Sequence, residues 1–185
     1  MKKIETLFKK DLNNLAIVTK EYSDKAKFVL DGNYKAYQKL DGTACAIING
    51  ELYKRYDAKK GKNIPFGAIP CQEADLITGH HPHWVKVYKD NPADKYHNEA
   101  LEMAKDIYFT DGTYELIGEK IQGNPEKLDG HYLFSHKSIE LILEDVSYDY
   151  LKTLLSFKNI EGIVFHSTIS DEMLKIRKTD FGFKR

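Results

Sequence analysis

The sequence predicts an α+β fold with mainly antiparallel sheets, and three observations carry that prediction. Short strand-like runs are separated by turn pairs, among them Asp41-Gly42, Asn49-Gly50 and Asp111-Gly112. Two stretches have helical composition or spacing, Ala93 to Ile107 and Tyr148 to Phe157. No internal repeat, low-complexity tract or linker divides the 185 residues, a length suited to one domain, 1–185, with a sizeable core.

Taken in order, the residues before Tyr34 carry no clear signal. Residues 34–39 (YKAYQK) read as a strand that ends at the Asp41-Gly42 turn. The run Thr43 to Ile48 meets Asn49-Gly50, and Glu51 to Tyr56 follows. Asn-Gly between two such runs signals a hairpin, because both residues tolerate the positive φ of a type I′ turn. Residues 58–70, rich in Lys, Gly and Pro, read as an exposed loop. Strands are expected at Trp84 to Tyr88 and Tyr114 to Ile117, with Ala100, Leu101, Ala104 and Ile107 at helical spacing between them. Beyond the loop at Gly123-Asn124-Pro125, Ile139 to Leu143 reads as a strand, and Ser147 is placed to cap the second helix. Gly162 to His166 and Met173 to Arg177 are the last two strands.

Composition narrows the function classes. Hydrophobic residues make up 42% and charged residues 30%, an ordinary globular balance rather than a disordered one. The 28 basic residues match 28 acidic ones, which excludes a strongly basic nucleic-acid coat and leaves room only for a local basic groove. Cys45 and Cys71 are too few for a disulfide scaffold and form no CxxC pair. Cys45, inside Ala44-Cys45-Ala46-Ile47-Ile48, reads as a buried thiol. There is no secretory h-region and no run long enough to span a membrane, so a cytoplasmic location is the expectation.

Four short blocks carry the chemistry: Lys39-Leu40-Asp41-Gly42-Thr43, Tyr114-Glu115-Leu116-Ile117-Gly118, Glu161-Gly162-Ile163-Val164 and Lys175-Ile176-Arg177-Lys178. Singly each has an ordinary explanation. Lys39 is then a lysine beside a turn, Glu115 and Glu161 are surface strand carboxylates, Arg55 is a solvated hairpin charge, and Lys175, Arg177 and Lys178 form a basic edge strand. The four in this order, each at a predicted strand edge, are hard to reach by accident.

In combination they resemble the lysine nucleotidyltransferase superfamily of ATP-dependent DNA ligases, RNA ligases and mRNA capping enzymes. KLDGT looks like its nucleophile motif, YELIG, EGIV and KIR like three later ones. The stretch from Glu115-Leu116-Ile117-Gly118 to Gly123-Asn124-Pro125 is similar to that of the small single-domain ATP-dependent RNA ligases related to vertebrate RNA ligase 1, and the similarity runs from about Tyr34 to the C-terminus, Asp180-Phe181-Gly182 included. The resemblance implies a nucleotidyltransferase (ligase adenylation) domain with mainly antiparallel sheets flanked by helices. Eight residues follow Arg177, so no OB-fold domain is expected.

The implied reaction makes Lys39 the acceptor of AMP, which then passes to an RNA 5′-phosphate that a 3′-hydroxyl attacks. A lysine amine must lose its proton to attack, and free lysine has a pKa of about 10.4. A partly desolvated pocket holding other cations (Lys175, Arg177, Mg²⁺ or Mn²⁺) lowers that value and neutralises phosphate charge. Asp41 is expected to shape the loop and orient the amine, completing a catalytic set of Lys39, Asp41, Lys175 and Arg177. The same resemblance assigns Gln38, Lys39, Leu40, Gly42, Arg55, Glu115, Glu161, Lys175 and Arg177 to the nucleotide. Glu115 and Glu161 bind the ribose or organise the metal and its waters. ATP is the co-substrate, RNA with 5′-phosphate and 3′-hydroxyl ends the partner, and a monomer is expected.

Three further features rank lower. His80, His81 and His83 in GHHPHW suggest a metal, yet neighbours on an extended loop diverge and no ligand-spaced partner completes the set. Lys59, Lys60 and Lys62 suit phosphates or a solvated loop equally. Tyr132 and Phe134 suit adenine stacking or core. The competing functions are a DNA ligase, a capping-type guanylyltransferase, and a nucleic-acid end-binding module without catalysis.

Overall fold

Alternating apolar and polar residues, broken by turn pairs, form thirteen strands and three α-helices among the residues that the computed structural model describes, 4–59, 61, 63–75 and 79–184. The chain opens with β1 (Glu5–Thr6), β2 (Phe8–Lys10), β3 (Val18–Tyr22), α1 (Lys27–Leu30) and β4 (Tyr34–Lys39). Next come β5 (Thr43–Ile48), β6 (Glu51–Ala58), β7 (Ile69–Pro70), β8 (His81–Lys86), α2 (Lys95–Met103), β9 (Gly112–Gly118) and β10 (His131–Ser135). β11 (Glu140–Leu141), α3 (Tyr148–Phe157), β12 (Gly162–Ser167) and β13 (Met173–Arg177) complete the α+β set. The elements fall into two compact units, a flanking one built from 4–40 with 136–184 and an inserted one, 41–135.

The flanking unit is organised by a five-stranded sheet in the order β1-β13-β12-β4-β11, antiparallel except where β1 joins β13. Gly162 stands opposite both Lys39 and Arg177, and Val164 opposite both Tyr37 and Lys175. Directly opposed residues share a face and successive residues alternate. Ala36, Ile163, Phe165, Leu174 and Ile176 therefore take one face, and Lys39, Lys175 and Arg177 the other. The first face is the core, packed with Phe28 and Val29 of α1, Leu151, Leu154 and Leu155 of α3, and Leu7, Phe8 and Val18 of the N-terminal strands. Ser147 caps α3 by accepting from the Tyr150 N–H at 3.4 Å, as its sequence position predicts.

The inserted unit has an antiparallel sheet in the order β10-β9-β5-β6-β8-β7. Asn49 and Gly50 turn β5 into β6 with φ of +51° and +75°, the positive pair expected of Asn-Gly. Cys45, Ile47, Leu52, Tyr114 and Leu116 face α2 and bury against its Ala100. Glu115 lies opposite Ala44 and Phe134, on the other face.

Several boundaries differ from expectation. The first predicted helix shortens to α2, because a 3-10 turn at Pro92–Asp94 precedes it and the chain leaves helical geometry at Ala104, with Ile107 exposed. β8 starts three residues before Trp84 and stops short of Tyr88, whose N–H donates to Asp94 at 3.0 Å. Of the predicted run 139–143, Glu140–Leu141 form the strand on β4, Ile139 adds one bond by accepting from the Gln38 N–H at 2.9 Å, and Ile142 is exposed. His81 and His83 sit on β8 rather than on a loop, and His83 is buried. β1, β2, β3, α1 and β10 lie where the sequence offered no strand or helix signal.

Ile163 is fully buried at the centre of the first core. Ile163→Ala is expected to lower unfolding free energy by about 2–5 kcal/mol, read from the urea midpoint.

Candidate functional site

Lys39 closes β4, and its Nζ lies 2.5 Å from Glu161 Oε2, in the residue just before β12. The ammonium also lies 3.4 Å from the Leu40 carbonyl. Both charged side chains are sheltered but reachable, at 26% and 16% exposure. The pair follows from register: Gly162 is opposite Lys39, so the residue before it meets the strand end. A Cβ on Gly162 would stand 2.2 Å from the Ile176 carbonyl and 2.8 Å from Arg177 Cα. Glycine is needed there for β12 and β13 to close up, and it leaves no side chain between Lys39 and Arg177 in that row.

Arg177 is held by a carboxylate that receives no role in the sequence analysis. Asp180 is completely buried in the 3-10 turn after β13. It accepts from the Arg177 backbone N–H at 2.9 Å and from the guanidinium at 2.9 and 3.2 Å. Lys10 of β2 reaches the same carboxylate at 2.7 Å. Burial alone would raise the Asp180 carboxyl, but hydrogen bonds from Arg177 and Lys10 outweigh it and hold the group below the ordinary carboxylate range. Asp180 in turn strengthens the charge on Arg177. Lys175, one row away on the same face, is pushed down to about 8 by burial and then by the charges of Arg177 and Lys39.

In the inserted unit, Gly42 is clamped against β9. Its N–H donates to Glu115 Oε1 at 3.1 Å, and its carbonyl accepts from the Gln122 amide at 3.4 Å. A Cβ at Gly42 would lie 2.1 Å from the Leu116 carbonyl and 2.6 Å from Ile117 Cγ2. Close packing on β9 is therefore the structural reason for glycine in the KLDGT block, and Asp41 is the residue that leads into it. Arg55 of β6 donates from Nε to Asp57 at 2.8 Å. By strand alternation Arg55, Glu115, Tyr132 and Phe134 share the face away from α2, so the two aromatic rings are not in that core. The Gly123-Asn124-Pro125 stretch is a built turn: the Asn124 side chain both accepts from and donates to the Leu128 backbone, each at 2.9 Å.

The sequence-predicted residues thus form a set in each unit. Lys39, Leu40, Glu161, Lys175 and Arg177 come together on the flanking sheet, and Gly42 meets Glu115 on the inserted one. Gln38 does not join Lys39, because alternation turns its side chain to the opposite face, in the row of Ile163 and Ile176. Lys59 is exposed, while Lys60 and Lys62 lie outside the described residues. Among the described residues no three His, Cys, Asp or Glu side chains are grouped to hold a metal, His80, His81 and His83 included. Such a cluster is not required for Mg²⁺, which keeps several waters and binds through one or two carboxylates. Asp180, Lys10 and Gln122 were missed. Asp180 alone had a local signal, an acid three residues after the strand end and just before Phe181-Gly182.

Chemically, the flanking face offers a primary amine beside a carboxylate, with a second cation, Arg177, in the same row and a third, Lys175, in the next. That suits an amine nucleophile attacking a phosphoryl group. A proton count on Lys175 tests the electrostatics. The folded chain binds fewer protons than the unfolded chain between about 8 and the ordinary value of 10.5. Its stability contribution therefore rises with pH across that window and is a penalty below it. Side-chain NMR of labelled lysine is expected to give Lys175 a midpoint near 8, and Lys175→Met is expected to remove the matching rise in urea midpoint.

No family model matches the chain, and no curated protein matches it. Among solved structures, one similar chain is a lysine-to-alanine mutant of Naegleria gruberi RNA ligase in its apo form, at 15% identity and a TM-score of 0.48. Another is a lysine-to-methionine mutant of a Naegleria gruberi RNA ligase with AMP and Mn, at 16% identity and a TM-score of 0.47. They cover 96% and 97% of this chain, which spans 60% of the length of each. Likeness at that level establishes neither a shared fold nor a shared activity.

Proposed function

We propose that this chain is an ATP-dependent RNA ligase that works through a lysyl-AMP intermediate on Lys39, its 185 residues acting as one nucleotidyltransferase domain. The observation that carries the reading is the Lys39–Glu161 pair at 2.5 Å on the sheet face shared by Lys175 and Arg177. In the first step Lys39 Nζ bonds to the α-phosphorus of ATP. The bond from that phosphorus to the bridging oxygen breaks, its electron pair leaves with pyrophosphate, and the amine proton passes to the adjacent Glu161 carboxylate. Lys175 and Arg177 stabilise the charge that develops on the phosphoryl oxygens.

In the second step an RNA 5′-phosphate oxygen attacks the same phosphorus and displaces Lys39, which regains a proton. A 3′-hydroxyl then attacks the activated 5′-phosphorus, a phosphodiester forms, and AMP leaves. The resemblance assigns Glu161 and Glu115 each to the ribose or to Mg²⁺ or Mn²⁺, which when bound would supply positive charge to the phosphates. By the family resemblance Arg55 is assigned to the nucleotide ribose or the 5′-phosphate end. RNA as the acceptor is supported by the same resemblance, through Glu115 to Gly118 and Gly123-Asn124-Pro125.

Incubation with Mg²⁺ and α-labelled ATP is expected to leave label on the denatured chain, and Lys39→Ala to remove it. The labelled enzyme is expected to seal 5′-phosphorylated RNA. Label from GTP alone points to capping chemistry, sealing of DNA alone overturns the acceptor, and no label with either nucleotide leaves only an end-binding module.

A further inference from the structure

A groove of about 800 Å³ in the flanking unit runs beside the β2–β3 ribbon and β13, and Lys10, Ser23, Lys175 and Arg177 are among its lining residues. Lys10 Nζ and Arg177 Nη2 bond one and the same oxygen, Asp180 Oδ1, at 2.7 and 2.9 Å. The carboxylate is sealed at 0% exposure, whereas Lys10 and Arg177 keep 29% and 33% of their side chains open. With Lys175 on the same strand as Arg177, three cations, Lys10, Lys175 and Arg177, stand near two carboxylates, Asp180 and Glu161, which leaves this part of the groove with an excess of positive charge. Ser23 Oγ, elsewhere in the groove, is buried and has no hydrogen-bond partner among the described residues.

The rest of the groove differs. Lys9 is held by Glu21 and Asp24 at 3.7 and 3.4 Å, and Lys25 is paired with Glu5. A polyanion laid along the whole groove meets those carboxylates. A compact anion beside Lys10, Lys175 and Arg177 meets three cations whose nearest carboxylate, Asp180, is sealed from the groove.

We propose that Lys10, Lys175 and Arg177 form a diphosphate subsite that takes the β- and γ-phosphates of the nucleoside triphosphate, with Lys10 as the member that no sequence motif marks. The proposal rests on the nucleotidyl-transfer reading, since breaking the bond at the α-phosphorus sends the electron pair to the diphosphate. Cations placed there stabilise the leaving group as its charge grows. Backbone phosphates of an RNA strand present the same chemistry and are the other source to separate.

Calorimetric titration of the full chain with inorganic pyrophosphate, AMP and a 5′-phosphorylated RNA oligonucleotide makes that separation without requiring turnover. Pyrophosphate is expected to bind, and Lys10→Met to weaken it roughly tenfold to a hundredfold, the loss of one hydrogen bond to a charged group. AMP and RNA affinities are expected to stay unchanged, Lys10→Arg to retain pyrophosphate, and Lys9→Met to behave as wild type. Equal pyrophosphate affinity with and without Lys10, or no pyrophosphate binding, overturns the subsite. So does an RNA affinity that falls while pyrophosphate binding holds. Should Lys10→Met not fold, pyrophosphate must still shift the Lys10 ammonium signal of ¹⁵N-lysine wild type, and a silent signal overturns the proposal. Absence of lysyl-AMP would sink the ligase reading while leaving these binding results to stand by themselves.

Discussion

The parity of three neighbouring strands, β4, β12 and β13, governs what the flanking unit offers to a ligand. Ile163, Phe165, Leu174 and Ile176 are fully buried on one face of that sheet. A slip of one residue in any strand would turn this apolar set outward, so the register is strongly specified. The same register sends Lys39, Lys175 and Arg177 to the opposite face as an unavoidable consequence. Gly162 completes the arrangement, because any side chain there collides with the β13 backbone. Core packing and site geometry are two sides of one constraint.

Charge is distributed on that face by burial. Asp180, in the 3-10 turn after β13, has no exposure and needs partners, since a buried carboxylate without them is strongly destabilising. Arg177 and Lys10 supply those partners and are fixed in return. Lys175, with burial and two neighbouring cations against it, loses affinity for its proton. Lys39 is matched by Glu161. The result is an amine with an adjacent carboxylate and a separate group of cations, the division that the proposed phosphoryl transfer would use.

Much of this was legible from local pattern. The Asn49-Gly50 hairpin, β4, β5, α3 with its Ser147 cap, and β12 and β13 all carry short-range signals, either turn chemistry or alternation. What escaped depends on distant partners. β1 is two residues long and exists because it adds in parallel to β13, and nothing in Glu5-Thr6 announces that. Lys10 reads as one more surface lysine until the fold brings it to Asp180, 170 positions later in the chain. Gly42 was recognisable as required, but its reason, contact with β9, lies 73 residues away at Glu115. Gln38 shows the limit of reading a motif along the chain: adjacent to Lys39 in sequence, it faces the other way in a strand.

In the proposed reaction Lys39, and no other lysine, becomes covalently nucleotidylated. Peptide mapping by mass spectrometry after incubation with Mg²⁺ and ATP tests it most directly. An AMP adduct confined to the peptide that contains Lys39-Leu40-Asp41-Gly42 is expected. An adduct on Lys175 or any other lysine, with Lys39 unmodified, would contradict it.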